Sequence, residues 1–154
     1  MLPISVTLEI VRARTLAAVR REVAPGGVAT AWRPAVSKVW DFLRTQPGLR
    51  TDGHNIFLYH QPRPELPIQC DFGVEVTRTF ERAGEVYATA TPTGEAAVAV
   101  LRGPYSRMNE AYVAIGDWIA AQGREFAGYT WEIYGDPAPD PAETETTIVR
   151  LLRS

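Results

Sequence analysis

The sequence predicts an α+β fold: a tandem ββαββ repeat whose two halves share a largely antiparallel sheet, with two helices packed on it and a cleft between the halves. Three observations carry that expectation. Eight runs are rich in β-branched and aromatic residues, two longer segments have helical apolar spacing, and the order in which they occur repeats. The repeat can be checked residue by residue. Trp40 and Trp118 lie 78 positions apart near the ends of the two helical segments, and Tyr59 and Tyr134 lie 75 apart in the strands that follow. A near-constant offset, with proline-rich links at the same place in each half, argues for duplication and a pseudo-two-fold axis. At 154 residues the chain fits a single domain over 1–154, with a first repeat at 1–78 and a second at 84–154.

In chain order, Val6 to Val11 and Thr15 to Val23 are strands, and the short Arg12-Ala13-Arg14 link predicts a hairpin between them. Ala24-Pro25-Gly26-Gly27 reads as a loop. Trp32, Val36, Val39, Trp40 and Leu43 then form one helical stripe, with Pro34 placed early and Gln46-Pro47-Gly48 as the stop. Ile56 to His60 and Ile68 to Thr77 follow as strands, separated by the link Gln61 to Pro67. In the second half Val86 to Thr91 and Ala96 to Arg102 flank the turn Pro92-Thr93-Gly94-Glu95, a second expected hairpin. Met108, Ala111, Tyr112, Ile115, Trp118 and Ile119 form the second stripe, which Gly123 is placed to end. Tyr129 to Asp136 and Thr146 to Leu152 supply the last strands, joined by Pro137 to Pro141.

Composition excludes several classes of function. A hydrophobic fraction of 45% with 22% charged residues is that of a globular domain. The net charge of -2 and the absence of a basic run oppose direct nucleic-acid binding, which needs a positive field. Cys70 is the only cysteine, so no intrachain disulfide forms, and a reducing compartment fits. No signal-like segment or membrane-length apolar run is present, and a cytoplasmic location is expected. His54, His60, Cys70 and Asp71 match no metal-ligand spacing, and no P-loop, dinucleotide fingerprint or nucleophile elbow occurs, so no metal or cofactor is expected.

The residue that asks for a function is Glu132. Alternation along the strand puts Thr130, Glu132 and Tyr134 on one face, and Tyr129, Trp131 and Ile133 on the other. An acid among rings on an inner face is either ion-paired structure or a pocket group. By the repeat register Phe57 is the counterpart of Glu132, so one half offers a ring where the other offers a carboxylate. Tyr134, Phe57 and Tyr59 fall on matching faces as candidate pocket walls, and Tyr105 and Tyr112 could join them from the second helix. Trp32, Trp40, Trp118 and Trp131 are assigned to the core.

The run PTGEAAVAVLRGPYSRMNEAYVAIGDWIAAQG, then YTWEIYGDP, then ETETTIVRLL, resembles the GyrI-like small-molecule-binding domain, which also serves as the effector-binding domain of AraC-type and MerR-type regulators. The resemblance covers nearly the whole chain and is strongest from Pro92 onward. It implies a cleft between two ββαββ halves that takes apolar, often cationic compounds, with the acid of the E-x-Y strand, here Glu132, facing the ligand. Glu95 departs from the pattern, which often has an aromatic or basic residue there. With the two repeats filling the chain, a fused helix-turn-helix is not expected.

Members of this kind include drug- or toxin-sequestering proteins, gyrase modulators and hydrolases of reactive toxins that use a pocket glutamate. Small-molecule binding through Glu132, Tyr134, Phe57, Tyr59, Tyr105 and Tyr112 is therefore the leading expectation. Hydrolysis, with Glu132 catalytic, is the alternative. A protein-interaction module acting on a target such as DNA gyrase is a third, without support from any exposed patch in the sequence, and no membrane partner is expected.

Overall fold

A computed structural model describes residues 4–136 and 139–154. Eight strands form one sheet: β1 (Val6–Val11), β2 (Thr15–Val23), β3 (Arg50–His60), β4 (Ile68–Val76), β5 (Tyr87–Ala90), β6 (Gly94–Arg102), β7 (Phe126–Tyr134) and β8 (Glu145–Leu152). Two helices, α1 (Val28–Arg44) and α2 (Met108–Ala121), separate β2 from β3 and β6 from β7. The sheet order is β1-β6-β8-β7-β3-β4-β2-β5, and every pairing is antiparallel. Read outward from the β7–β3 seam, the two sides are equivalent, and Phe57 stands directly opposite Glu132 across it. The repeat register pairs the same two residues, so the pseudo-two-fold axis passes between them.

The two expected hairpins do not form. β1 pairs with β6 of the second repeat, and β5 pairs with β2 of the first. The first strand of each repeat has therefore crossed to the other half. The pairing holds one register throughout, from Val6↔Ala99 and Val11↔Gly94 to Thr15↔Ala90 and Ala18↔Tyr87. Residues 6–18 and 87–99 thus make a continuous antiparallel ribbon. Between the strands, Arg14 donates its backbone N–H to Thr91 Oγ1 (2.9 Å) and Ala13 to Thr93 Oγ1 (3.1 Å). The reason lies in the links. Arg12-Ala13-Arg14 contains no residue suited to positive φ, which a tight hairpin turn requires, so the chain runs on extended. Gly94, with φ of +150°, begins β6 instead of closing a turn.

The ribbon starts at one edge of the sheet and finishes at the other, so the sheet must curl back on itself. This explains its doubly buried faces. On the helix side, Val36, Val39 and Leu43 of α1 cluster with Val19, Phe57 and Phe72, while Ala111, Ile115 and Ile119 of α2 cluster with Ala99, Leu101 and Ile148. On the reverse side, Leu16, Ile56, Leu58, Val98, Trp131 and Val149 form a third cluster with no helix over it. Trp131 is a core residue there, 2% exposed. Trp32, Trp40 and Trp118 are half-buried flanks of the helical clusters, not their centre.

Element ends differ from the sequence reading where polar residues mask a strand. β3 begins at Arg50, ahead of Ile56, and its pairing with β4 is irregular between Arg50 and Asn55. β7 starts at Phe126 and ends at Tyr134, leaving Gly135 and Asp136 outside it. α1 begins at Val28, so Pro34 lies in the helix interior and not in its first turn. Its lost hydrogen bond would have used the carbonyl of Thr30, an exposed residue that water can satisfy. Gly123 follows α2 with φ of +66°, as a helix stop requires. Of the link Pro137 to Pro141, residues 137 and 138 lie outside the described residues.

The strand exchange has a direct test. Thr7→Cys with Val98→Cys, an opposed pair in the ribbon, should cross-link on oxidation. Thr7→Cys with Val19→Cys, the pair a β1–β2 hairpin would oppose, should not. Peptide mass mapping of the oxidised proteins distinguishes the two arrangements.

Candidate functional site

Glu132 lies near the C-terminal end of β7, two residues before Tyr134, on the helix side of the sheet, and is 5% exposed. Three phenols from three elements hold its carboxylate. Tyr59 of β3 donates to Oε1 at 3.0 Å, Tyr134 of β7 donates to the same oxygen, and Tyr112 of α2 donates to Oε2. Strand alternation places Tyr134 beside Glu132, seam pairing brings Tyr59 next to them, and the α2 stripe aims Tyr112 down from above. Burial pushes the Glu132 pKa up, and the phenol hydrogen bonds pull against that shift. Burial and the neighbouring Glu132 charge raise the three tyrosines in turn, so each remains a protonated donor.

Glu132 lies at the wall of a cavity of about 550 Å³ between the halves. The first half contributes Val28, Tyr59, Ile68 and the segment Pro62-Arg63-Pro64; the second contributes Met108 of α2 with Tyr112, and Thr130, Glu132, Tyr134 and Arg150 from the sheet. The walls are chiefly apolar and aromatic, with a few polar groups converging, and the volume suits a drug-sized molecule.

Of the candidate residues, Glu132, Tyr134, Tyr59 and Tyr112 meet at this cavity. Phe57 and Tyr105 are not in its lining. Phe57, 4% exposed, lies behind the wall in contact with Trp32, Phe72 and Tyr134. As the residue on the axis, its ring supports Tyr134 from the core. Tyr105 is 53% exposed and meets Tyr134 edge-on at 5.7 Å, outside the cavity. It sits in the short 3-10 turn, Tyr105–Arg107, that precedes α2.

Arg150 and Thr130 were not singled out from the sequence. Arg150 is the β8 neighbour of Thr130, and its guanidinium lies over the rings of Phe126 (4.0 Å) and Tyr112 (6.0 Å). Burial lowers its pKa. The available signal was alternation along β8, which sets Arg150 on the face of Ile148 and Leu152. Using it required knowing that β8 lies beside β7.

A second ionic cluster sits elsewhere. Asp71, fully buried, accepts Arg20 Nε and Nη2 at 3.0 Å each, His60 Nε2 at 2.6 Å, and the Tyr87 hydroxyl. Burial alone would raise its pKa, but these donors outweigh it and bring it to about 2. His60 and Asp71 are thus paired with each other, while Cys70 points into the opposite, helix-side core. Among the described residues no group of three metal-ligating side chains occurs, and no helix is long and apolar enough to cross a membrane.

A family model described as the GyrI-like small molecule binding domain matches residues 5–151. No curated protein sequence matches the chain. Among solved structures, the EcmrR C-terminal domain is similar with a TM-score of 0.82 at 20% identity, covering 99% of each chain. A hydrolase from Listeria innocua has a TM-score of 0.66 at 12% identity, covering 96% of this chain and 91% of its own. The structure of SAV2435 bound to tetraphenylphosphonium has a TM-score of 0.64 at 11% identity, covering 97% and 94%. At these identities the likeness to the structures concerns the fold.

The buried carboxyl makes stability depend on pH in a definite direction. A folded-state pKa above the unfolded value means that the native state holds more protons, so the contribution of Glu132 is greatest below the ordinary carboxyl range and is lost as pH rises through the raised value. Glu132→Gln has no such dependence. Denaturant unfolding across pH should therefore show wild type losing stability relative to Glu132→Gln as pH rises from about 4.5. A difference that is flat or of opposite slope would contradict the assignment.

Proposed function

Because the chain belongs to the GyrI-like small-molecule-binding family, we propose that the cavity at Glu132 binds apolar small molecules and favours those carrying a delocalised positive charge. The observation that carries this reading is the carboxylate at the cavity wall, withdrawn from water and surrounded by three phenol rings. A buried carboxylate without a counter-charge is costly, and a ligand cation supplies one. The ring faces add cation–π attraction of about 0.5–2 kcal/mol for a good contact. The tetraphenylphosphonium bound to SAV2435 is an aromatic cation of this kind, which supports the choice of probe. Drug or toxin sensing, or sequestration, are the roles this chemistry serves.

Calorimetric titration of tetraphenylphosphonium and neutral triphenylphosphine oxide into wild type and Glu132→Gln isolates the charge contribution. The variant should lose about 1–3 kcal/mol of cation affinity while holding the neutral compound as well or better. Since the cation favours ionised Glu132, binding should release a proton, and affinity should rise with pH until the raised pKa is passed. Unchanged cation affinity in the folded variant would refute the role of Glu132.

A second reading is hydrolysis. The specific observation in its favour is a carboxyl whose pKa is raised by burial and whose position is fixed by three donors, the condition of a general acid–base group. Glu132→Gln should then keep the fold and nearly abolish turnover of a strained electrophilic substrate, as followed by product mass spectrometry. Equal turnover by both proteins, or none by either across a panel of such compounds, would eliminate this reading.

A further inference from the structure

Two polar groups at the cavity lack partners. Arg150 Nε and Thr130 Oγ1 are both buried without a hydrogen bond, they belong to residues directly opposed on β8 and β7, and both residues line the cavity. Among the described residues the Arg150 guanidinium makes no ion pair. Its surroundings are the ring faces of Phe126 and Tyr112, which steady a cation but give its N–H groups no acceptor. Buried donors are as a rule satisfied, and an orphaned pair at a cavity wall marks a place where an acceptor is missing.

The nearest acid is already engaged. Glu132 faces the same cavity, but its two oxygens accept three phenols, and no contact with Arg150 within ion-pair distance is present. Arg63, exposed, adds a second guanidinium to the lining. Two arginines and one carboxylate therefore face the cavity, so a ligand that offers positive charge alone answers Glu132 and leaves the arginines without a counter-charge.

We infer that the cavity takes a zwitterionic apolar molecule whose carboxylate pairs with Arg150 beside Thr130, while its cationic aromatic body lies toward Glu132 and the tyrosines. This rests on the proposed binding function and narrows its ligand class. A guanidinium fork matches a carboxylate in two parallel hydrogen bonds. The desolvated, ring-flanked setting strengthens that pair, and the opposed charges of Glu132 and Arg150 fix the direction in which the ligand lies. A permanent cation without the acid would use one end of the site and leave Arg150 unpaired.

Rhodamine B and its ethyl ester test this. Both carry the same delocalised cation, and only the former has a free carboxylate. Calorimetric titration into wild type should show rhodamine B bound at least about tenfold more tightly than the ester, as a charge-assisted bidentate pair provides. Arg150→Met, which keeps an apolar stem over Phe126, should abolish that preference, bringing the two dyes to equal affinity. Thr130→Val, a near-isosteric change that guards against misfolding of the arginine variant, should reduce the preference several-fold, with thermal melting confirming the fold. Binding of both dyes without a preference, or a preference that survives in folded Arg150→Met, would overturn the inference and leave the cavity reading intact. Binding of neither dye by wild type would overturn both.

Discussion

The antiparallel pairing of β3 with β7 is the constraint on which the rest of the structure depends. It joins the two repeats at their axis and places Phe57 opposite Glu132. Those positions are equivalent by duplication, yet one carries a ring and the other an acid. An exactly symmetric pair would be either two rings, giving a closed core, or two carboxylates, which repel one another. The asymmetric pair lets Phe57 fill the first half's core with Phe72 and Trp32 while Glu132 collects its donors at the cavity.

The exchange of β1 and β5 complements that seam. A sheet joined only along β3–β7 would leave each half hinged on one strand pair. The ribbon of residues 6–18 with 87–99 ties the far ends together in a constant register. The curled sheet then buries Trp131, Leu58 and Val149 on its reverse face without a covering helix. Cavity geometry is consequently held from behind as well as from the helices, which is the rigidity a preorganised polar site needs.

The strands, helices and repeat were legible because each rests on local periodicity, and alternation along YTWEIY set Glu132 and Tyr134 on one face unambiguously. Strand partners were not legible in the same way. A short link between two strands reads as a hairpin, and only the lack of positive-φ residues in Arg12-Ala13-Arg14 hinted otherwise. The site followed this division. Tyr59 and Tyr112 could be proposed from the repeat register and the helix stripe, whereas Arg150 depends on β8 lying beside β7, a nonlocal fact. Phe57 and Tyr105 had the right residue type and approximate position. Packing decided their places: the axis puts Phe57 in the core, and the turn before α2 leaves Tyr105 in solvent.

The chemistry of the cavity then turns on how its charges are compensated. Glu132 and Arg150 lie two residues out of register across β7 and β8, since Thr130 opposes Arg150 and Ile148 opposes Glu132. They face the same space but are held separately, the acid by phenol hydrogen bonds and the guanidinium by the ring faces it lies over. Had they paired directly, the cavity would hold a closed ion pair with nothing left to offer a ligand. The tyrosine shell keeps the carboxylate in place and tolerably solvated by hydroxyls while leaving its charge uncancelled. Arg150, stacked but without an acceptor, is held in the same state. On the proposed reading, a cavity that keeps two opposite charges apart in an apolar setting would select by charge arrangement as well as by shape, because each ligand charge must reach its own end.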